Sequence, residues 1–218
     1  MKTLSRERAR RVYDRIGARQ DTQAFYEDRA TDLIIQHGEL GAAQHVFEFG
    51  CGTGRFAHSL LSEHLSPGAT YKAIDISPKM VDLARDRLAP FASRAEVVLS
   101  DGAPPSQEAP ASFDRFISTF VFDLLSQDDI AAVLREAHRM LRPGGLLCLS
   151  SLSTGSGAAS RLVARIWSGV HRLSPVLVAG CRPLELLDDL SSADWKVRHH
   201  LRLAPYALPS EVIVAERS

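Results

Sequence analysis

The sequence predicts an α/β domain whose core is a seven-stranded, mostly parallel sheet, covered by helices on both faces and closed by an antiparallel last strand. Three observations carry this prediction. From residue 45 onward, short apolar runs alternate with amphipathic helical stretches. The first apolar run ends in a cluster of glycines at 50, 52 and 54. The last two runs, Trp195–Leu203 and Glu211–Glu216, are joined by only about seven residues, including Pro205 and Pro209. A parallel crossover needs roughly a dozen or more, so these two must pair antiparallel.

The elements follow in order. Residues 3–37 lack strand alternation and read as two helices, broken at Gly17 and at the polar Gln20-Asp21-Thr22. His45–Gly50 is a strand, Arg55–His64 a helix and Thr70–Asp75 a strand. Ser77-Pro78 opens a helix to about Leu88, with serine at the cap and proline at the first helical position. Glu96–Ser100 and Phe113–Phe120 are short strands. Ser126–Leu141 is amphipathic, with Ile130, Val133, Leu134, Ala137 and Leu141 on one stripe. Pro143-Gly144-Gly145 is expected to end that helix, and Leu146–Leu152 is a buried strand.

Composition bounds the function. The chain has 218 residues, 45% hydrophobic and 24% charged, which is ordinary for one globular domain with its own core. Residues 1–40 are expected to form a helical segment ahead of the domain of residues 41–218, with residues 153–183 as an insertion. Net charge is zero, which gives no global pull toward nucleic acid. The charge is uneven, however. Residues 1–19 hold Lys2, Arg6, Arg8, Arg10, Arg11, Arg15 and Arg19 against Glu7 and Asp14. This is either a solvated helix face or a weak contact with a membrane surface. No secretory or membrane-spanning run is present in the sequence. Cys51, Cys148 and Cys181 are odd in number and widely spaced, so neither a disulfide framework nor a metal site is expected. A reducing, cytoplasmic setting is expected, as monomer or homodimer.

The chemistry lies in the turns. Val46-Phe-Glu48-Phe-Gly50-Cys51-Gly52-Thr53-Gly54 sits where the first strand turns into a helix. Its glycines let backbone approach a ligand closely, and the helix start offers N–H groups to a carboxylate. An acid at Glu48 suits a cationic group such as an α-ammonium. Asp75, at the end of the second strand, suits a pair of ribose hydroxyls. Asp101-Gly102, after the third, suits an exocyclic amine. All three acids fall at the crevice edge where open α/β sheets bind ligands.

These residues closely resemble the class I S-adenosylmethionine-dependent methyltransferases, over about residues 40–152. The first motif is Glu48-Phe-Gly-Cys-Gly-Thr-Gly54, the second acid Asp75, the third Asp101-Gly102, the fourth Phe113–Phe120 and the last Leu141–Gly145. The antiparallel final strand also matches this Rossmann-like fold. The resemblance implies that Glu48, Gly50, Cys51, Gly52 and Gly54 hold the methionine part of S-adenosylmethionine and Asp75 its ribose. It implies Asp101 and Gly102 at the adenine, with Ile76 and Met80 flanking it, and Ser118 to Phe120 under the sulfonium. The product would be S-adenosylhomocysteine. Tyr13-Asp-Arg-Ile-Gly17 resembles the helix-turn preceding the core in the quinone-biosynthesis branch, which folds as a lid and would turn Tyr13 to the cofactor. Gln20 stands where that branch often has a second tyrosine. The resemblance makes residues 1–40 a helical lid and residues 153–183 an insertion on the acceptor side.

The acceptor side is less legible. Leu162, Val163, Ile166, Trp167 and Val170 form a helical stripe and Leu173–Val178 is apolar. This is core or lid packing, or the wall of a pocket for a small lipophilic or aromatic molecule. Asp123 is the candidate base for an acceptor proton, or a cap before the next helix. The methylated atom (O, N, S or C) stays open. Two other readings stand beside the enzyme: a non-catalytic S-adenosylmethionine-binding protein and an NAD(P)-dependent oxidoreductase. The dinucleotide fingerprint needs glycine where Arg55 stands.

Overall fold

The computed structural model describes residues 3–191 and 195–218. Its sheet has seven strands: β1 (His45–Phe49), β2 (Thr70–Asp75), β3 (Ala95–Leu99), β4 (Phe113–Thr119), β5 (Leu141–Leu152), β6 (Trp195–Leu203) and β7 (Ser210–Arg217). Their order is β3-β2-β1-β4-β5-β7-β6. All pairings are parallel except those of β7, which runs antiparallel to both β5 and β6. The order reverses between β1 and β4, and open α/β sheets bind ligands at the carboxyl ends of strands at such a switch point.

Both sheet faces are apolar because every central strand alternates two sets of hydrophobic side chains. Val46, Tyr71, Ala73, Cys148 and Val214 pack one way, under α2 (Ala24–His37), α3 (Arg55–Ser59) and α4 (Pro78–Leu88). Phe47, Phe49, Phe116, Leu147 and Ile213 pack the other way, under α5 (Gln127–Met140) and α7 (Leu186–Ser191). The expected caps form: the Ser77 and Ser126 hydroxyls accept from the backbone N–H of Met80 and Asp129. Asp114 accepts from Gln44 N and His45 N and so fixes the entry of β1. Arg115 is buried without an unmet need. Its guanidinium donates to the carbonyls of Gly38 and Glu39, the free carbonyl end of α2.

Four expectations change. The helix α5 stops at Met140, not at the Pro-Gly-Gly turn. Leu141 is fully buried, already extended, and pairs with Phe113. Pro143 disfavours helix at the residue before it, and Arg142–Gly145 bulge out before Leu146 rejoins Arg115. The helix after the glycine loop is regular only to Ser59; Leu60–His64 widen, with Leu65 N bonded to Leu60 O. Of residues 1–40, only α1 (Arg6–Ile16) and the turn Gly17–Gln23 act as cover, since α2 buries Ala30 and Ile34 in the core. Finally, α6 (Ala158–Leu173) buries its apolar stripe only in part, with Val163, Trp167 and Val170 half-buried. It seats Ser160, Ala164 and His171, with Trp167 Nε1 bonded to Cys181 O, while Leu162 and Ile166 face outward.

Phe116 sits at the centre of the second face, fully buried against Phe47 and Phe49. Phe116→Ala should lower unfolding free energy by about 3–5 kcal/mol. Urea denaturation checks this; a loss under about 1 kcal/mol would mean the face is loosely packed.

Candidate cofactor site and its lid

The cavity opens at the carboxyl ends of β1, β2 and β4. Its floor is the glycine loop. Gly50, Gly52 and Gly54 all have positive φ (80°, 53° and 73°), a region costly for other residues. A side chain at Gly50 would collide with Val121, at 2.4 Å, and one at Gly54 would press on Ala84 of α4 at 3.0 Å. Gly52 is different: nothing lies within 4 Å of where its side chain would be, and it lines the cavity. The loop is bare there because it faces ligand space.

Asp75 joins the loop to the next turn. Its Oδ2 accepts from Gly52 N and its Oδ1 from Ser77 N, both at 2.9 Å. Burial raises its pKa, against backbone hydrogen bonds from Ser77, Gly52 and Ile76. Each oxygen keeps a free lone pair, and the residue lines the cavity. Ile76, Met80 and Gly102 continue the wall; a side chain at Gly102 would strike Ile76 Cδ1 at 2.6 Å. Cys51 and Phe120 line it too, and Phe120 is held at a positive φ of 54° with Tyr26 edge-on at 5.6 Å. A non-glycine residue there is strained, which marks a wall the surroundings hold in place.

Other expected residues lie behind the wall. Glu48 is buried and accepts from the Tyr71 hydroxyl at 2.9 Å; burial pushes its pKa up to about 7. Ser118 donates to Phe49 O, and Asp101 accepts from Ala103 N, which shapes the turn at Gly102. Asp123 is fully buried, its carboxyl oxygens without hydrogen-bond partners, beside Cys181 and Arg182. Burial pushes its pKa up to about 7. Tyr13 lines the cavity and shares a hydrogen bond with Cys181 Sγ at 3.8 Å. So Asp123 stands one layer back from the cavity, behind Cys181 and Tyr13.

A helical cover was expected over residues 1–40, but the ties that hold it were not legible. α1 crosses the cavity mouth, and its polar residues are tied to the loops beneath. Arg6 donates to Asp129 (2.7 Å), the Ser77 hydroxyl donates to Asp14 (2.6 Å), and Asp21 accepts from Thr53 and Arg87. Arg6, Gln20, Asp21, Glu27, Ser100 and Asp129 therefore join the cavity wall. For Arg6, Asp21 and Glu27 the one sequence signal was the density of charge in residues 1–28; Ser100 and Asp129 lie outside it. Glu27 is held up to about 7, chiefly by burial. The histidines of β6 diverge: His199 stacks on His37, and His200 meets Glu211 Oε2 at 3.0 Å. Among the described residues no group of three metal-ligating side chains converges.

Comparison with known proteins agrees with this geometry. Residues 46–145 match the family model of a methyltransferase domain. The malonyl-[acyl-carrier protein] O-methyltransferase of Erwinia pyrifoliae is 28% identical over 174 residues, covering 80% of this chain and 61% of that protein. The chain thus spans about three fifths of that relative's length. The N-methyltransferase NodS from Bradyrhizobium japonicum, solved with S-adenosylhomocysteine, superposes with a TM-score of 0.70 at 18% identity, over 96% of this chain and 98% of its own. The [4+2]-cyclase SpnF gives 0.76 at 15% identity, over 100% and 97%. Together the ordered motifs, the fold and the match over residues 46–145 make the chain similar to the class I S-adenosylmethionine-dependent methyltransferases, with a methyltransferase domain at its centre. The likeness to SpnF shows the fold alone, since one fold carries unrelated chemistries.

Asp123, Glu27 and Glu48 are carboxyls whose folded pKa, about 7, lies above the unfolded value. Their neutral forms suit the fold, so the stability they contribute is full below the ordinary carboxylate range and is lost as pH rises through about 7. Asp123→Asn removes one such loss. It should gain about 1–3 kcal/mol on wild type between pH 5 and pH 8. Thermal melts at both pH values check this, and an equal effect at each would contradict it.

Proposed function

We propose that the chain transfers the methyl group of S-adenosylmethionine to a small lipophilic or aromatic acceptor. The observation that supports this reading most is one cavity with two characters. The glycine loop and Asp75 form a polar cradle at one end, and Phe120, Val121, Leu124 and Leu125 form an apolar wall beside it. The residues present fit the cofactor. Bare Gly52 leaves room for it, and the free lone pairs of Asp75 suit two ribose hydroxyls. Ile76 and Met80 would flank the adenine, with Gly102 admitting its edge. Glu48 and Asp101 act from behind, by fixing Tyr71 and the Gly102 turn.

When bound, the cofactor supplies a methyl group on a sulfonium whose departing thioether is neutral. The chain's own residues then align the acceptor and keep water out. α1 and the Gly17–Gln23 turn cover the mouth, and Tyr13 and Phe120 both line the cavity. Tyr13 brings a hydroxyl to the wall and shares a hydrogen bond with Cys181 Sγ, and the buried Asp123 carboxyl beside that thiol is the group that could take an acceptor proton. Asp123 is on this reading a positioning and proton-holding residue that acts through Tyr13.

Release of S-adenosylhomocysteine over a panel of phenols, quinols, thiols and amines tests the proposal. A protic acceptor should give turnover that Tyr13→Phe lowers about 10–100-fold, with loss of a pH step near 7. Turnover unchanged by Tyr13→Phe and by Asp123→Asn would remove the relay and point to an acceptor already ionised. Cofactor binding without turnover of any panel member would favour the non-catalytic reading.

A further inference from the structure

The outer surface of α6 is unlike the surface of a protein surrounded by water. Leu162, Ile166, Leu173 and Leu177 are 59%, 60%, 87% and 73% exposed. At about 100° per residue, Leu162, Ile166 and Leu173 form one stripe, roughly opposite the buried Ser160, Ala164 and His171. Arg161, Arg165 and Arg172 form a second exposed stripe, about a quarter turn from the first. Among the described residues, Phe25 and Tyr206 extend the apolar area: their rings meet edge-on at 5.5 Å, and the turn carrying Tyr206 packs against α6.

Charge around this face is mostly basic, although exposed Glu7 pairs with Arg11 at 3.2 Å on the outer side of α1. The sequence has no Asp or Glu between Glu136 and Glu185. The turn Pro175–Val178 lies against the start of α1, in a groove lined by Arg8, Arg172, Leu173 and Val176. Arg8, Arg11 and Arg15 share the outer side of α1, away from Tyr13 and the cavity, and all three are exposed. So an apolar ridge is bordered by two rows of arginine.

We infer that the face formed by α6, the Pro175–Val178 turn and the outer side of α1 docks on an anionic lipid bilayer. A helix lying in the interface buries an apolar stripe while its arginines reach back to phosphate, which is the arrangement seen. Face-to-face pairing of two copies would bring arginine rows against each other. An acidic protein partner would meet the arginines but leaves the height of the leucine ridge unexplained. Leu4 lines both the groove and the cofactor cavity, so the docked face adjoins the covered mouth. Docking itself does not depend on the acceptor.

Co-sedimentation of the full chain with vesicles tests this, using phosphatidylcholine alone and phosphatidylcholine with about 30% phosphatidylglycerol. Wild type should pellet with the anionic vesicles and be released by salt. Leu173→Glu with Leu177→Glu, and separately Arg161→Glu with Arg165→Glu, should each weaken binding roughly tenfold or more. These side chains are exposed, and S-adenosylmethionine affinity should be unchanged in both variants. That second readout separates lost docking from lost folding or a wrong cofactor. Absence of wild-type binding to anionic vesicles at low salt, or equal binding by the variants, would overturn the inference. So would concentration-dependent dimerisation, or capture of an acidic carrier protein, through this face without vesicle binding.

Discussion

The carboxylate of Asp75 is the constraint on which the site depends. It accepts the N–H of Gly52 on one side and of Ser77 on the other. One anion thereby fixes the glycine loop after β1 and the start of α4 after β2. Both Gly50 N and Cys51 N also bond to Ile74 O, so the loop is held to the end of β2 by backbone as well. Each strand end would otherwise carry its own mobile turn. Joined, they make a single rigid cradle, and a group that must meet a ligand in one geometry is best carried by such elements.

The lid uses the same economy of attachment. Asp14 binds Ser77, two residues from Asp75, and Asp21 binds Thr53, inside the glycine loop. Arg6 reaches Asp129, at the start of α5. Each polar link thus runs from the lid to a loop that forms the cavity wall. These links are partly exposed, and each is worth little alone. A cover held by several weak ties can open for exchange, which one deeply buried ion pair would resist.

Features governed by neighbours in sequence were legible. Strand periodicity placed β1, β2 and β4 within a residue, and the short Leu203–Ser210 connection gave the antiparallel pairing. Glycine positions marked the loop because positive φ has few other solutions. Side-chain direction was not legible. Glu48 and Asp101 stand at the expected strand ends, yet one turns to Tyr71 and the other to its own turn. The lid's ties join residues 32 to 123 positions apart, and nothing local announces Arg6 with Asp129 or Asp21 with Thr53. The α6 stripe was found by its period, but period does not say which side meets the core. Small Ser160 and Ala164 take the seat, Trp167 is half-buried beside them, and Leu162, Ile166 and Leu173 are left outside.

Calorimetric titration of S-adenosylmethionine and NADH into wild type and Asp75→Ala bears most directly on this account. Micromolar binding of the sulfonium compound, no binding of NADH and a loss of about 100-fold in the variant are expected, because two charged hydrogen bonds to the cradle and those to the ribose go together. Binding that survives Asp75→Ala unchanged, or a preference for NADH, would contradict it.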